Sequence, residues 1–220
     1  MTMVVGIDLA GAPAYGAKRP GVVGLAAVRP HIRGLRAVEV TAGRLDDDAI
    51  LAFVRRHDAH VVAIDAPLSL PRGRCCADPG CACARFGIVR EAERELVRRG
   101  HRPYWTLLPS MVPLTLRGVA LRRVLEAEGR RVVEVFPGAV RDLLAVSRAD
   151  DRELVRTLRK LGLRGLPDGM PRDAVDAVAA AWVGALCAQG ACEAVGSPDE
   201  GQIWLPNVTA VSAARRRRAR

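Results

Sequence analysis

Short, mostly apolar runs alternate along the chain with longer segments in which apolar residues recur at helical spacing. The runs at 3–9, 61–66 and 131–136 predict buried strands, because each is closely followed by Gly or Pro. Two further strands are predicted at 21–29 and 33–41, joined by a turn. The chain therefore supplies at least five candidate strands for one sheet.

Helical spacing predicts helices at 46–57, 88–99, 114–128, 138–145, 150–161 and 172–188. The stretch from Gln202 to Leu205 predicts an edge strand. Apolar strands that alternate with helices are typical of an α/β protein whose sheet is covered on both faces. We expect one domain over 1–208 with an inserted Cys-rich loop at 67–87, followed by a disordered Arg-rich tail at 209–220.

Composition narrows the class of protein. Half of the 220 residues are apolar and 26% are charged, which is typical of a globular protein and excludes a disordered or collagen-like chain. No run of 18 apolar residues is present, and the N-terminus lacks the basic region of a signal peptide. These features predict a soluble, cytoplasmic protein.

The formal net charge of +10 is carried mainly by arginine, since lysine occurs only at Lys18 and Lys160. Five arginines lie within the last six residues, and subtracting them leaves +5 for the rest of the chain. A basic balance favours a polyanionic partner such as nucleic acid. Biased codon usage together with a solvated tail is an equally good explanation of the same charge.

Each of the three buried strands carries one carboxylate at or near its C-terminal end: Asp8, Asp65 and Glu134. Burying an ionised acid is costly unless it is paired or bound to a metal. If the strands are parallel neighbours, their C-terminal ends meet at one edge of the sheet, where α/β proteins place their sites. Carboxylate oxygens suit Mg²⁺, so this pattern predicts a divalent-metal site.

The last predicted helix adds two more acids. Asp173 and Asp176 share one helical face, which continues through the small residues Ala177, Ala180 and Gly184. Such a stripe lets the helix approach the sheet closely and bring its acids to the strand ends. Asp173 alone is also explained as a first-turn partner of the helix dipole, whereas Asp176 lies deeper in an apolar run.

Six segments together carry a family resemblance: Val5 to Gly11, Ala63 to Leu68, Arg90 to Gly100, Val133 to Ala139, Asp173 to Ala180 and Glu200 to Pro206. In this order they resemble the prokaryotic family known as domain of unknown function 429. That family is regarded as a predicted nuclease of the ribonuclease H fold, similar to Holliday-junction resolvases. The resemblance covers nearly the whole chain except the Arg-rich tail.

The resemblance implies a five-stranded mixed sheet in which the first, fourth and fifth strands are parallel neighbours. It also implies hydrolysis of phosphodiester bonds in DNA or RNA with two Mg²⁺ or Mn²⁺ ions. Asp8 is then the bridging ligand, flanked by Asp65 and Glu134, and Asp176 with Asp173 completes the second ion site. The chain departs from the resolvase pattern in having Pro171 and Arg172, and no histidine, before the last acidic motif.

Four arginines are candidates for holding the phosphates of such a substrate: Arg72, Arg74, Arg90 and Arg94. A solvated charged face is the alternative for each of them.

A cluster of cysteines lies in the irregular loop, where Cys75, Cys76, Cys81 and Cys83 fall within nine residues. Disulfides are disfavoured in the cytoplasm, which leaves metal binding, with zinc as the candidate ion, or chance. The spacing differs from a repeated Cys-x₂-Cys pair, and both explanations stay open.

Two other function classes remain alternatives to a nuclease. A non-catalytic nucleic-acid adaptor would use the basic surface and a zinc loop. An actin-like ATPase or phosphotransferase also carries Gly-x-Asp on its first strand, as at Gly6 to Asp8. That class needs a second, Gly-rich phosphate loop after a strand, and the segment from Asp65 to Pro71 does not provide one.

Overall fold

The computed structural model describes residues 2–209 and builds them around one mixed sheet. The strands are β1 (Val4–Asp8), β2 (Val23–His31), β3 (Gly34–Gly43), β4 (Val61–Asp65), β5 (Arg131–Val135), β6 (Leu163–Arg164), β7 (Cys192–Val195) and β8 (Ile203–Pro206). The helices are α1 (Asp47–Arg56), α2 (Glu91–Arg98), α3 (Val112–Ala127), α4 (Pro137–Leu143), α5 (Asp151–Lys160) and α6 (Arg172–Ala188).

The eight strands lie in the order β6-β3-β2-β1-β4-β5-β8-β7. Strands β1, β2 and β3 form an antiparallel meander, whereas β1, β4 and β5 are parallel neighbours. This arrangement confirms the predicted α/β class and the predicted five-stranded mixed core. It also brings the C-terminal ends of β1, β4 and β5 to one edge of the sheet.

The sheet contains more strands than the sequence predicts. The predicted edge strand at 202–205 is wrong in its position, because β8 lies between β5 and β7 and is hydrogen-bonded on both sides. The true edge strands, β6 and β7, are absent from the prediction. Both are short, and each buries only one side chain, so neither leaves an apolar run in the sequence.

Helix α6 lies in direct backbone contact with the sheet. A Cβ atom on Gly6 of β1 would fall 2.1 Å from the carbonyl oxygen of Ala177, and one on Gly24 of β2 would fall 1.9 Å from that of Asp173. Gly184 approaches the sheet in the same way, since its Cβ would lie 2.8 Å from Cγ1 of Val4. The small-residue stripe of α6 therefore lets the helix approach the sheet closely, as the sequence predicts. Gly6 and Gly24 on the strands leave room for the backbone of the helix.

The opposite face of the sheet is covered by α1 and α3. Ile50 and Val54 of α1 pack with Leu121 and Leu125 of α3 against the apolar residues of β1 and β4. Because both faces are covered, the strands can be apolar throughout, as observed. Strand ends and the loops that follow them remain the accessible part of the sheet.

The loop at 67–87 contains one short 3₁₀ helix, Ala82–Phe86, and no strand or α-helix. Apart from Thr209, the predicted Arg-rich tail lies outside the described residues. Among residues 2–209, no helix has the length and apolarity needed to cross a membrane.

Candidate active site

Two aspartates lie side by side at the ends of the two central strands. Asp8 ends β1, Asp65 ends β4, and the two are direct partners in the parallel register. Burial, followed by the charges of Asp65 and Asp176, raises the pKa of Asp8 to about 9. Burial and the neighbouring acids raise the pKa of Asp65 well above its ordinary value. When both carboxylates are ionised, their negative charges repel each other.

Helix α6 places two further acids beside this pair. Oδ1 of Asp176 accepts a hydrogen bond of 2.7 Å from Nη2 of Arg141, and Nε of Arg172 lies 3.6 Å from Oδ2. Burial raises the pKa of Asp176, although Arg141 opposes the shift. The charge of half-buried Asp173 contributes to the raised pKa of Asp8, so both helix acids lie near the strand ends.

Glu134 differs from the aspartates because a buried arginine neutralises it. Its Oε2 accepts hydrogen bonds from the backbone N–H of Leu68 at 2.8 Å and from Nη1 of Arg90 at 2.7 Å, while Nη2 of Arg90 pairs with Oε1. Arg90 is 1% exposed and donates also to Glu93 and Ser69. The Arg90 guanidinium is occupied within the protein, which argues against its predicted contact with a phosphate. The predicted ligand Glu134 is the counter-ion of Arg90.

The other three predicted phosphate contacts do not line the cleft that holds the acids. Arg74 is 9% exposed and donates to the backbone carbonyls of Cys76 and Asp78, so it serves the loop. Arg72 and Arg94 are exposed, and neither lines the cleft that holds the acids. The sequence marks these residues as basic but carries no information on which way they face.

Asp8, Asp65, Glu134 and Asp176 line a cleft of about 430 Å³. The cleft also contains arginines that the sequence analysis does not predict. They are Arg102, Arg141, Arg148 and Arg172. Arg141 is 1% exposed, and its Nη2 bridges Asp176 and Asp151 at 2.7 Å each. Its Nε and Nη1 find no hydrogen-bond partner in the described part of the chain. Only Arg172, which directly precedes Asp173, could have been found from the sequence.

A second, wider groove of about 700 Å³ runs along α5. Arg152, Arg156 and Arg159 line it together with Asp151, which also pairs with Arg141 beside the acid cluster. The groove contains none of the four clustered aspartates, and its three arginines are matched by Asp150, Asp151 and Asp168, so it is a neighbour of the site and not the site itself.

The four cysteines of the loop come together in space. All four sulfur atoms lie within 4.8 Å of one another. Cys75 and Cys81 are 3.8 Å apart, and Cys76 and Cys83 are 3.7 Å apart.

An antiparallel meander of β1, β2 and β3 lies beside parallel β4 and β5, and helices cover the sheet. This arrangement is a ribonuclease H-like fold. The chain is similar to Thermus thermophilus RuvC in complex with a Holliday junction substrate, with a TM-score of 0.50 and 17% identity over 86% of this chain and 96% of that one. A further Thermus thermophilus RuvC structure has a TM-score of 0.48 and 18% identity, with the same coverage. No protein-family model and no curated protein sequence matches the chain, so membership of the domain of unknown function 429 family stays a prediction.

Proposed function

We propose that this protein is a metal-dependent nuclease that hydrolyses phosphodiester bonds of DNA or RNA. The observation that carries the proposal is the Asp8–Asp65 pair at the ends of neighbouring parallel strands, with the acids of α6 beside it. The similarity in fold to a RuvC bound to a Holliday junction supports nucleic acid as the substrate class. The excess of positive charge on the chain agrees with a polyanionic partner.

The acid cluster fits divalent cations by its charge and its donor atoms. Arg141 and Arg172 form their ion pairs with Asp176, and no ion pair within residues 2–209 includes Asp8 or Asp65. Two adjacent carboxylates with raised pKa values lack a cation, and carboxylate oxygens are the ligands that Mg²⁺ and Mn²⁺ prefer. We therefore assign Asp8 and Asp65, supported by Asp173 and Asp176, to hold two such ions.

Bound there, the ions would lower the pKa of an attacking water and stabilise the charge of the leaving oxygen. The protein's own side chains fix the geometry. Arg141 favours the ionised form of Asp176, because the bond from Nη2 stabilises the carboxylate against the effect of burial. Glu134 accepts from the N–H of Leu68, which ties the chain after β4 to β5 and so helps to position Asp65.

Substrate phosphates would be held by the arginines of the cleft, since guanidinium groups match phosphate oxygens in charge and shape. Arg102 and Arg172 line the cleft together with the acids, and Arg148 lines it while pairing with Asp142. These residues replace the arginines that the sequence predicts for this role.

The test is cleavage of a panel of labelled nucleic acids that includes duplex, single-stranded and four-way junction DNA and RNA. Each is incubated with the protein in Mg²⁺, Mn²⁺ or EDTA. We expect cleavage of at least one member in Mg²⁺ or Mn²⁺, no cleavage in EDTA, and loss of activity in Asp65→Asn. Asp168→Asn is the matched control, since that carboxylate is 93% exposed and outside the cleft.

Cleavage that persists in Asp65→Asn would refute the assignment of the site. Binding without cleavage under any metal would favour the non-catalytic adaptor instead. A cytoplasmic location remains a prediction from the sequence.

A further inference from the structure

The loop between β4 and α2 contains a compact group of sulfur atoms, here called the thiol cluster: Cys75, Cys76, Cys81 and Cys83. Backbone hydrogen bonds from Cys81 N–H to Asp78 and from Ala84 N–H to Cys81 turn the chain back on itself. This turn brings the second pair of cysteines against the first, so ligands that are adjacent in sequence can face one centre.

The sulfur spacing matches a tetrahedral metal site. Zn–S bonds of about 2.3 Å place the sulfur atoms of a tetrahedron about 3.8 Å apart. Two cross-loop pairs are 3.7 and 3.8 Å apart, and no pair in the cluster exceeds 4.8 Å. We propose that the thiol cluster binds one Zn²⁺ ion as a structural site, separate from the carboxylate site of the cleft.

A buried positive charge beside the cluster supports an anionic metal centre. Zinc held by four thiolates carries a net negative charge, and binding releases the thiol protons. Arg74 directly precedes the cluster, is 9% exposed, and donates to the carbonyls of Cys76 and Asp78 at 3.1 Å. No carboxylate among residues 2–209 forms an ion pair with Arg74, so an anionic zinc centre would provide its counter-charge. Soft thiolates favour zinc over the hard Mg²⁺.

The ion would hold in place a loop that has little apolar core of its own. Both ends of the loop bind Glu200: the N–H of Arg72 donates to Oε1 at 2.7 Å, and that of Glu91 donates to Oε2 at 2.5 Å. At the cleft, the same segment supplies the Leu68 N–H and the Arg90 guanidinium to Glu134. Zinc would therefore stabilise the wall of the cleft, whatever reaction takes place there.

The experiment measures metal content by mass spectrometry in the full chain, purified without added metal and after reloading with Zn²⁺. We expect about one zinc per chain, falling several-fold in Cys83→Ser. Cys192→Ser is the control: it lies outside the cluster, its Sγ donates to the carbonyl of Val183, and a hydroxyl can do the same. Zinc-free protein after reloading, iron in its place, or a mass showing two disulfides in the cluster would each overturn the proposal.

Replacement by Co²⁺ in the unsubstituted protein keeps the test independent of any variant that fails to fold. Tetrahedral thiolate ligation gives intense visible bands and sulfur-to-cobalt charge transfer, whereas Co²⁺ on carboxylates absorbs weakly. We expect the intense spectrum, unchanged in Asp65→Asn. A weak spectrum that vanishes in Asp65→Asn would contradict a thiol site, and neither result depends on whether the protein cleaves nucleic acid.

Discussion

At the level of single residues, the candidate site places carboxylates that repel one another close together. Asp8 and Asp65 are placed side by side by the register of β1 and β4. Burial raises the pKa of both, assisted at Asp8 by the charge of Asp65 and at Asp65 by the charges of Asp176 and Glu134. A residue pair of this kind lowers the stability of the metal-free protein. Such an arrangement is typical of functional sites, where chemistry and stability conflict.

The raised pKa of Asp8 predicts that Asp8→Asn stabilises the metal-free protein increasingly as pH rises. Between the ordinary aspartate pKa and about 9, the folded protein binds one more proton at Asp8 than the unfolded chain. Asp8 therefore contributes a fall in the free energy of unfolding as pH rises, of at most about 1.4 kcal/mol per unit, and asparagine removes this contribution. Urea unfolding in EDTA at pH 5 and pH 8 measures it.

The control for this prediction is Asp168→Asn, whose exposed carboxylate should leave the pH dependence unchanged. An Asp8→Asn variant that is equally affected at both pH values would show that Asp8 ionises normally in the fold.

Arg141 is the second residue for which a sharp expectation follows. Arg141→Met removes the buried hydrogen-bond donor to Asp176, so the pKa of Asp176 should rise further. We expect cleavage to fall about 10- to 100-fold and the acid limb of its pH profile to move to higher pH. The measurement is the rate against pH at fixed Mg²⁺. Arg159→Met, which breaks an exposed ion pair with Asp168, should move neither quantity.

At the scale of elements, the position of α6 decides whether the site exists. The helix reaches β1 and β2 only because Gly6 and Gly24 leave room for its backbone. Its first turns then lie beside the end of β1, which places Asp173 and Asp176 near Asp8. Close contact between helix and sheet is thus a requirement of the site and not only of the core.

Gly6→Ala should therefore destabilise the fold strongly. The added Cβ would lie 2.1 Å from a backbone oxygen of α6 that has no free direction in which to move. Overpacking of this kind costs about 3 kcal/mol or more in free energy of unfolding. Gly43→Ala is the matched control, because it also lies on a strand and its Cβ would meet only Leu45 at 3.8 Å. Equal denaturation midpoints for the two variants would disprove the close contact.

At the scale of the whole molecule, net charge governs association with a polyanion. Half of the +10 comes from the arginines of residues 215–220 and half from the rest of the chain. The grooves of the described part carry their own arginines, so the fold and the terminal arginines contribute separately. Counterion release makes the two contributions distinguishable by salt.

Removing residues 215–220 should weaken nucleic-acid binding without changing cleavage at saturating substrate. Five fewer positive charges should reduce the slope of log affinity against log salt by at most about 4.5 for duplex DNA. Fluorescence anisotropy over a series of NaCl concentrations measures the slope. Replacing the five arginines by glutamine should give the same result, and a difference between the two variants would show that charge is not the cause.

Much of the fold can be predicted from the residues alone. Apolar runs that end in Asp8 and Asp65, together with helical spacing between them, were sufficient for the α/β class and for the meeting of these acids at one edge. The small-residue stripe of α6 was sufficient for its approach to the sheet. These features can be read locally, because the buried residues of a helix or strand recur at its characteristic spacing along the sequence.

The pairing of the buried charges, in contrast, depends on the three-dimensional packing of the chain. Arg90 meets Glu134 across 44 residues and Arg141 meets Asp176 across 35, and nothing near either arginine in the sequence differs from its exposed counterparts. The sequence likewise does not show that β8 lies between β5 and β7. Nor does it show that four cysteines with an unfamiliar spacing meet in space. Hydrophobic periodicity records that a residue is buried, but the choice of partner depends on chain packing in three dimensions.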